Sequence, residues 1–92
     1  MRNGSRPALR VGDIVEATAG RGSGRRFLVV GIVDEEYVRI SDGDTRKLSR
    51  AKLKKNLHLT PKGHIEDTAF LTAPGGTADS DIRKILREWE NN

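Results

Sequence analysis

Apolar and polar residues alternate along the first sixty positions in short runs, separated by turn residues. Val11-Gly12-Asp13 reads as a turn into Ile14-Val15-Glu16-Ala17. Gly20, Gly22 and Gly24, with Ser23 among them, form a loop that cannot be regular structure. Phe27 to Val33 (FLVVGIV) is the strongest strand signal, rich in β-branched residues, and Gly31 within it suits a bulge or sharp bend. Asp34-Glu35-Glu36 is a polar turn, and Tyr37 to Ser41 alternates as a half-buried strand should. Asp42-Gly43 is a hairpin signal, with Thr45 to Leu48 as the returning strand. Arg50 to Lys55 reads as a polar loop with at most one helical turn. Asn56 to Leu59 reads as a short closing strand ended by Pro61.

Four or five short strands joined by tight turns predict a mainly β fold. Strands this short cannot build two stable sheets, and closure removes exposed edges, so a small SH3-like antiparallel β-barrel is expected over residues 9–61. Val15, Ala17, Phe27, Val29, Val38 and Ile40 are the expected inward positions. Residues 1–8 read as a disordered lead-in with nothing to bury. Residues 62–78, with Gly63, Pro74, Gly75 and Gly76, read as an extended strap or linker. The period then changes: Ile82, Ile85, Leu86 and Trp89 fall at i, i+3, i+4 and i+7, one face of a short C-terminal α-helix over 79–91. Thr77, Asp79 or Ser80 would cap it, and Asp79 and Asp81 suit its N-terminal dipole. So short a helix is marginal alone in water, so it must dock on the barrel, dock on a partner or stay unfolded.

Composition narrows the function. The chain has 92 residues, 35% apolar and 33% charged, enough for one domain with a thin core and too little for a large enzyme cleft. It contains no Cys, which excludes disulfides, thiol nucleophiles and thiolate metal sites, and a reducing cytoplasm is the expected compartment. No apolar run is long enough to span a bilayer, and the N-terminus lacks the apolar stretch of a secretory signal.

Charge is unevenly spread. Residues 1–59 hold 13 Lys/Arg against 7 Asp/Glu, a net of +6, whereas residues 60–92 hold 4 against 6, a net of −2. Six of the ten positions 46–55 are basic (Arg46, Lys47, Arg50, Lys52, Lys54, Lys55) and none is acidic. Arg21, Arg25 and Arg26 form a second cluster around the glycine loop. Such blocks repel themselves unless a polyanion relieves them, and nucleic acid is the usual relief. Without side chains at Gly20 and Gly24 the backbone turns tightly and brings N–H groups and arginines to one rim, where phosphate oxygens accept from both.

Val11 to Ala17, then Gly20 to Gly24, then Phe27 to Val33 resembles the KOW motif of ribosomal proteins and transcription elongation factors. The continuation through Val38-Arg39-Ile40-Ser41-Asp42-Gly43, Thr45 to Leu48 and Lys54 to Leu59 is similar to bacterial KOW-domain RNA-binding proteins akin to archaeal and eukaryotic large-subunit ribosomal proteins. The resemblance covers roughly residues 9–61. The motif's usual glycine early in the second strand is here Phe27. The resemblance implies a KOW-type SH3-like barrel and binding to structured, ribosomal-type RNA. Gly20, Arg21, Gly24, Arg25, Arg26, Arg46, Lys47, Arg50, Lys52, Lys54 and Lys55 are the candidate phosphate contacts. With aromatic residues at 4% of the chain, a stacking platform for single strands is largely absent, so backbone contacts should dominate.

Other constellations lack chemistry. His58 and His64 have no third ligand nearby, so no metal or cofactor is expected. The carboxylates at 34–36, 42 and 44 are turn residues with no pairing for acid–base work. Ser23 has no base beside it, and no Walker pattern follows Gly24. No enzyme activity, small-molecule substrate or membrane partner is expected. The alternative reading is a protein-interaction module whose Ile82–Trp89 face docks a protein partner. Two roles are open for the acidic tail: folding over the basic face in competition with RNA, or patching the thin barrel core.

Overall fold

A computed structural model of the protein describes residues 8–20, 22–73 and 75–90. Five antiparallel strands form one sheet: β1 (Asp13–Ala17), β2 (Arg26–Ile32), β3 (Tyr37–Ser41), β4 (Lys52–Lys55) and β5 (Leu59–His64), in the order β4-β3-β2-β1-β5. A C-terminal helix, α1, spans Ala78–Glu90. The outermost strands, β4 and β5, are joined only by the 3-10 turn Asn56–His58. That connection reaches about 14 Å at full stretch, while a flat five-stranded sheet is about 19 Å wide. The sheet therefore curls on itself into a small SH3-like barrel. All but Ala8 of the expected 1–8 lead-in falls outside the described residues.

Alternation along the strands fills two cores. Val15, Ala17, Phe27, Val29, Val38 and Ile40 all lie in the inner cluster, joined by Leu9 and Leu59. The residues between them face outward: Ile14 and Leu28 pack with Ile82 and Leu86 of α1 in a second cluster, flanked by Val30, Ile65, Phe70, Ile85 and Trp89. Burial on both faces explains why Phe27 to Val30 is continuously apolar. The helix thus docks on the chain's own sheet, and its Ile82–Trp89 face is already covered by β1, β2 and the strap. The pairing of β2 with β3 slips between Val29 and Gly31, the bulge that Gly31 suggested.

Three local expectations are corrected. Thr45 to Leu48 is not a strand. The Asp42 carboxylate instead draws in the backbone amides of Asp44 (2.9 Å) and Arg46 (2.8 Å), curling the chain into a loop that ends in the 3-10 turn Leu48–Arg50. The partner of β3 is β4, Lys52–Lys55, where a polar loop was expected. Finally, Asn56–His58 is a 3-10 turn, and the closing strand starts at Leu59 and runs through Pro61 to His64. Proline is tolerated there because β5 is an edge strand paired only with β1, and the register slips beside it, Val15 facing Pro61 and Ile14 facing Gly63.

Candidate nucleic-acid interface

The glycine loop is closed at its neck by Ala17 N–H to Arg25 O (2.9 Å) and Gly24 N–H to Ala17 O (2.8 Å). Gly20 and Gly24 hold φ of 84° and 86°, the left-handed region that a side chain would disfavour. The loop reaches across to β4, where Lys54 Nζ donates to Ala19 O at 3.2 Å. Lys52 and Lys54 lie directly opposite Ile40 and Val38, so both stems run along the inner face of the barrel. Half-buried, they cover the core with methylene groups while their ammonium ends reach the mouth.

Asp42 joins this loop to the later basic stretch. Its nearly buried carboxylate accepts from Arg25 Nη2 (2.9 Å) and Thr45 Oγ1 (2.7 Å) as well as from the two backbone amides. Burial alone would push its carboxyl up. The hydrogen bonds from Thr45, Arg46 and Asp44, with the Arg25 charge, outweigh that and hold it below the ordinary carboxylate value. Arg25 is thereby fixed with its guanidinium 5.8 Å above the Phe27 ring.

The consequence is a hollow of about 230 Å³ lined by Gly22, Arg25, Phe27, Thr45, Arg46 and Lys52. Its three cations come from both basic clusters, and no carboxylate lines it. Sequence could not say whether the clusters share a face; here they meet. Arg46, Lys47 and Arg50 are exposed, and their side chains make no hydrogen bond or ion pair among the described residues. The other expected contacts are placed differently. Arg26 is half-buried, donating to the Trp89 carbonyl oxygen at 2.7 Å, with Glu16 at 3.6 Å. Lys55 lies 6.0 Å from the Tyr37 ring, directly across the β3–β4 ladder from it. Arg21 lies outside the described residues.

A larger groove of about 490 Å³ adjoins Arg25 on its other side and adds Arg83 and Arg87 of α1. The sequence places these two off the apolar stripe of the helix without marking them as contacts; their four-residue spacing was the available signal. Glu16, Asp42, Asp44 and Glu90 line the same groove and balance its cations, so the uncompensated charge is that of Arg46 and Lys52 in the smaller hollow, where Arg25 is already paired with Asp42. Away from both, His64 Nδ1 sits 2.7 Å from the buried Asp13 carboxylate, tying β5 to β1. Among the described residues no cluster of His, Asp and Glu is arranged to hold a metal ion, and no helix is long and apolar enough to cross a membrane.

No family model matches the chain. Curated relatives do. The chain is 31% identical over 84 residues to large ribosomal subunit protein eL14 of Desulfurococcus amylolyticus, covering 89% of this chain and 80% of that protein. It is 31% identical over 85 residues to the protein of the same name from Hyperthermus butylicus, with 89% and 79% covered. Against that of Staphylothermus marinus it is 29% identical over 83 residues, with 87% and 78% covered.

Proposed function

Because the chain belongs to the family of large ribosomal subunit protein eL14, we propose that it binds ribosomal RNA through the rim formed by the glycine loop, the 42–50 segment and the inner lysines of β4. The family is one of ribosomal proteins rather than enzymes. The observation that carries the reading is the hollow at Gly22, Arg25, Arg46 and Lys52, where two sequence-distant basic clusters converge and no acidic residue lines the wall, Asp42 lying behind Arg25 and Thr45. Backbone phosphates are its natural ligand. Arg25 offers a fixed planar fork, Arg46, Lys47 and Arg50 offer charges not engaged among the described residues, and the loop glycines let a phosphate approach the main chain.

Recognition is by backbone and shape. Phe27 is buried beneath Arg25 and Tyr37 is half-buried beside Lys55, so neither presents an open ring for stacking. The narrower likeness, to bacterial KOW-domain proteins, rests on the motif residues from Val11 onward. The place of action is the cytoplasm, where ribosomes assemble and work. A protein partner, if the chain has one, would have to use a surface other than the Ile82–Trp89 face, which is spent on Ile14 and Leu28.

The test is charge reversal at the rim. A variant carrying Arg46→Glu, Lys47→Glu and Lys52→Glu should bind a large-subunit ribosomal RNA transcript at least about tenfold more weakly than the parent near 100 mM salt. Lys62→Glu, which lies on β5 and outside the hollow, should change binding little. Equal binding by the triple variant and the parent would remove the proposal.

A further inference from the structure

The acidic balance of residues 60–92 suggested a tail that competes with RNA, but the contacts of α1 point the other way. The helix lies on the outer face of the sheet and reaches both basic clusters from behind. At its N-terminal end the Asp79 carboxylate accepts the Leu48 N–H at 2.7 Å. One turn later Arg83 Nη1 donates to the Gly43 carbonyl oxygen. Gly43 holds φ of 72°, and a Cβ there would collide with the Asp79 carbonyl and crowd the Arg83 side chain, so the chain passes directly against the helix. At the C-terminal end, the Trp89 carbonyl accepts Arg26 Nη1 at 2.7 Å, where the helix dipole favours a cation.

These contacts bracket the basic segment. Gly43 and Leu48 are the two ends of the stretch that carries Arg46 and Lys47, and Leu48 opens the 3-10 turn that carries Arg50. Gly43 adjoins Asp42, which holds Arg25. Arg26 opens β2 at the neck of the glycine loop. Asp79 and Trp89 are separated by about 15 Å of rigid helix at 1.5 Å per residue. Ile82 and Leu86, buried between those points, keep the helix from sliding.

We infer that α1 is a strut that fixes the spacing of the two basic clusters, and that Asp79 and Arg83 are positioning residues for RNA binding that act without touching RNA. The inference rests on the RNA-binding reading above and deepens it. Freed from Arg83 and Asp79, the 43–48 segment samples other conformations. Affinity falls by the fraction of time the binding geometry is lost, while the set of phosphates contacted stays the same.

The experiment uses the full chain and a large-subunit ribosomal RNA transcript. Arg83→Ala should bind about fivefold more weakly, the effect of a binding-competent loop populated about one fifth of the time, with an unchanged salt slope. Arg83→Lys, which keeps a donor, should recover most of the loss. Lys84→Ala removes the same charge from the same helix without a contact to the 43–48 segment, and should bind within about twofold of the parent. Amide hydrogen exchange without RNA should speed up at Asp44, Arg46 and Leu48 in Arg83→Ala and stay parental in Lys84→Ala. Should Arg83→Ala melt below the working temperature, Asp79→Ala tests the Leu48 end in the same way. Equal weakening by Arg83→Ala and Lys84→Ala, or parental binding by Arg83→Ala, overturns the strut. A parent that binds no RNA sinks the RNA reading instead, and the exchange rates then judge the strut alone: parental rates in Arg83→Ala overturn it.

Discussion

Replacing Ile82 with alanine probes the joint between helix and sheet. Ile82 is fully buried and packs with Ile14, Leu28 and Leu86. The substitution removes three carbon atoms, about 2.4 kcal/mol at about 0.8 kcal/mol each. If α1 settles partway toward the sheet and leaves a void of about 50 Å³, the cavity adds about 1.2 kcal/mol. The expected loss therefore runs from about 2.4 kcal/mol with full settling to about 3.6 kcal/mol with the void, a large share of the roughly 5–14 kcal/mol that holds a domain of this size together. The assay is built into the chain. Trp89 is its single tryptophan, half-buried on the same helix with its ring lying against Gly63. Urea unfolding followed by Trp89 emission reports helix docking, and far-UV circular dichroism reports the secondary structure of helix and sheet together. Both midpoints should fall together, with the slope unchanged. A loss below about 1 kcal/mol, or a parent whose native Trp89 emission matches that of the unfolded chain, would refute the docking of α1 on β1 and β2.

Other expectations follow from particular contacts. Asp42→Asn should lower stability by roughly 1.5–3 kcal/mol at neutral pH, because the charged acceptor of Arg25 and Thr45 is lost. The folded carboxyl titrates below its unfolded value, so its contribution is full above about pH 4 and is lost as pH falls through the folded value. Urea midpoints of parent and variant should therefore converge as the pH falls through the folded value, and a constant gap would contradict the assignment. Gly63→Ala should cost about 1–3 kcal/mol and shift Trp89 emission to the red, since its Cβ would strike the indole ring; unchanged emission would show that the ring lies elsewhere.

Much of the inner barrel was legible because its positions obey period-two alternation. Val15, Ala17, Phe27, Val29, Val38 and Ile40 follow it along β1, β2 and β3 and all join the inner core. The same rule hid β4. Its inward positions are Lys52 and Lys54, which shield the core with their stems, so the strand reads as charge throughout. Thr45 to Leu48 misled for a different reason. Asp42-Gly43 does turn the chain, but the Asp42 carboxylate competes for the next amides and builds a loop in place of a ladder. Pro61 marked an end on the premise that proline stops strands, which fails at an edge. The basic clusters were visible as composition, but a charge run carries no direction. That Arg25, Arg46 and Lys52 meet depends on the glycine loop folding over the barrel mouth, a long-range arrangement. Arg83 and Arg87 were visible only as the polar side of a helix whose docking face was known and whose angle on the sheet was not.

The salt dependence of RNA affinity tests the central claim most directly. Arg46, Lys47, Arg50 and Lys52 are the rim cations with no side-chain hydrogen bond or ion pair among the described residues. Neutralising about four phosphates gives a slope of log affinity against log salt of about −2.8 to −3.6. The account predicts that slope for the parent on large-subunit ribosomal RNA, and a shallower one for the triple variant at Arg46, Lys47 and Lys52. A slope near zero for the parent, or one unmoved by the triple variant, would contradict it.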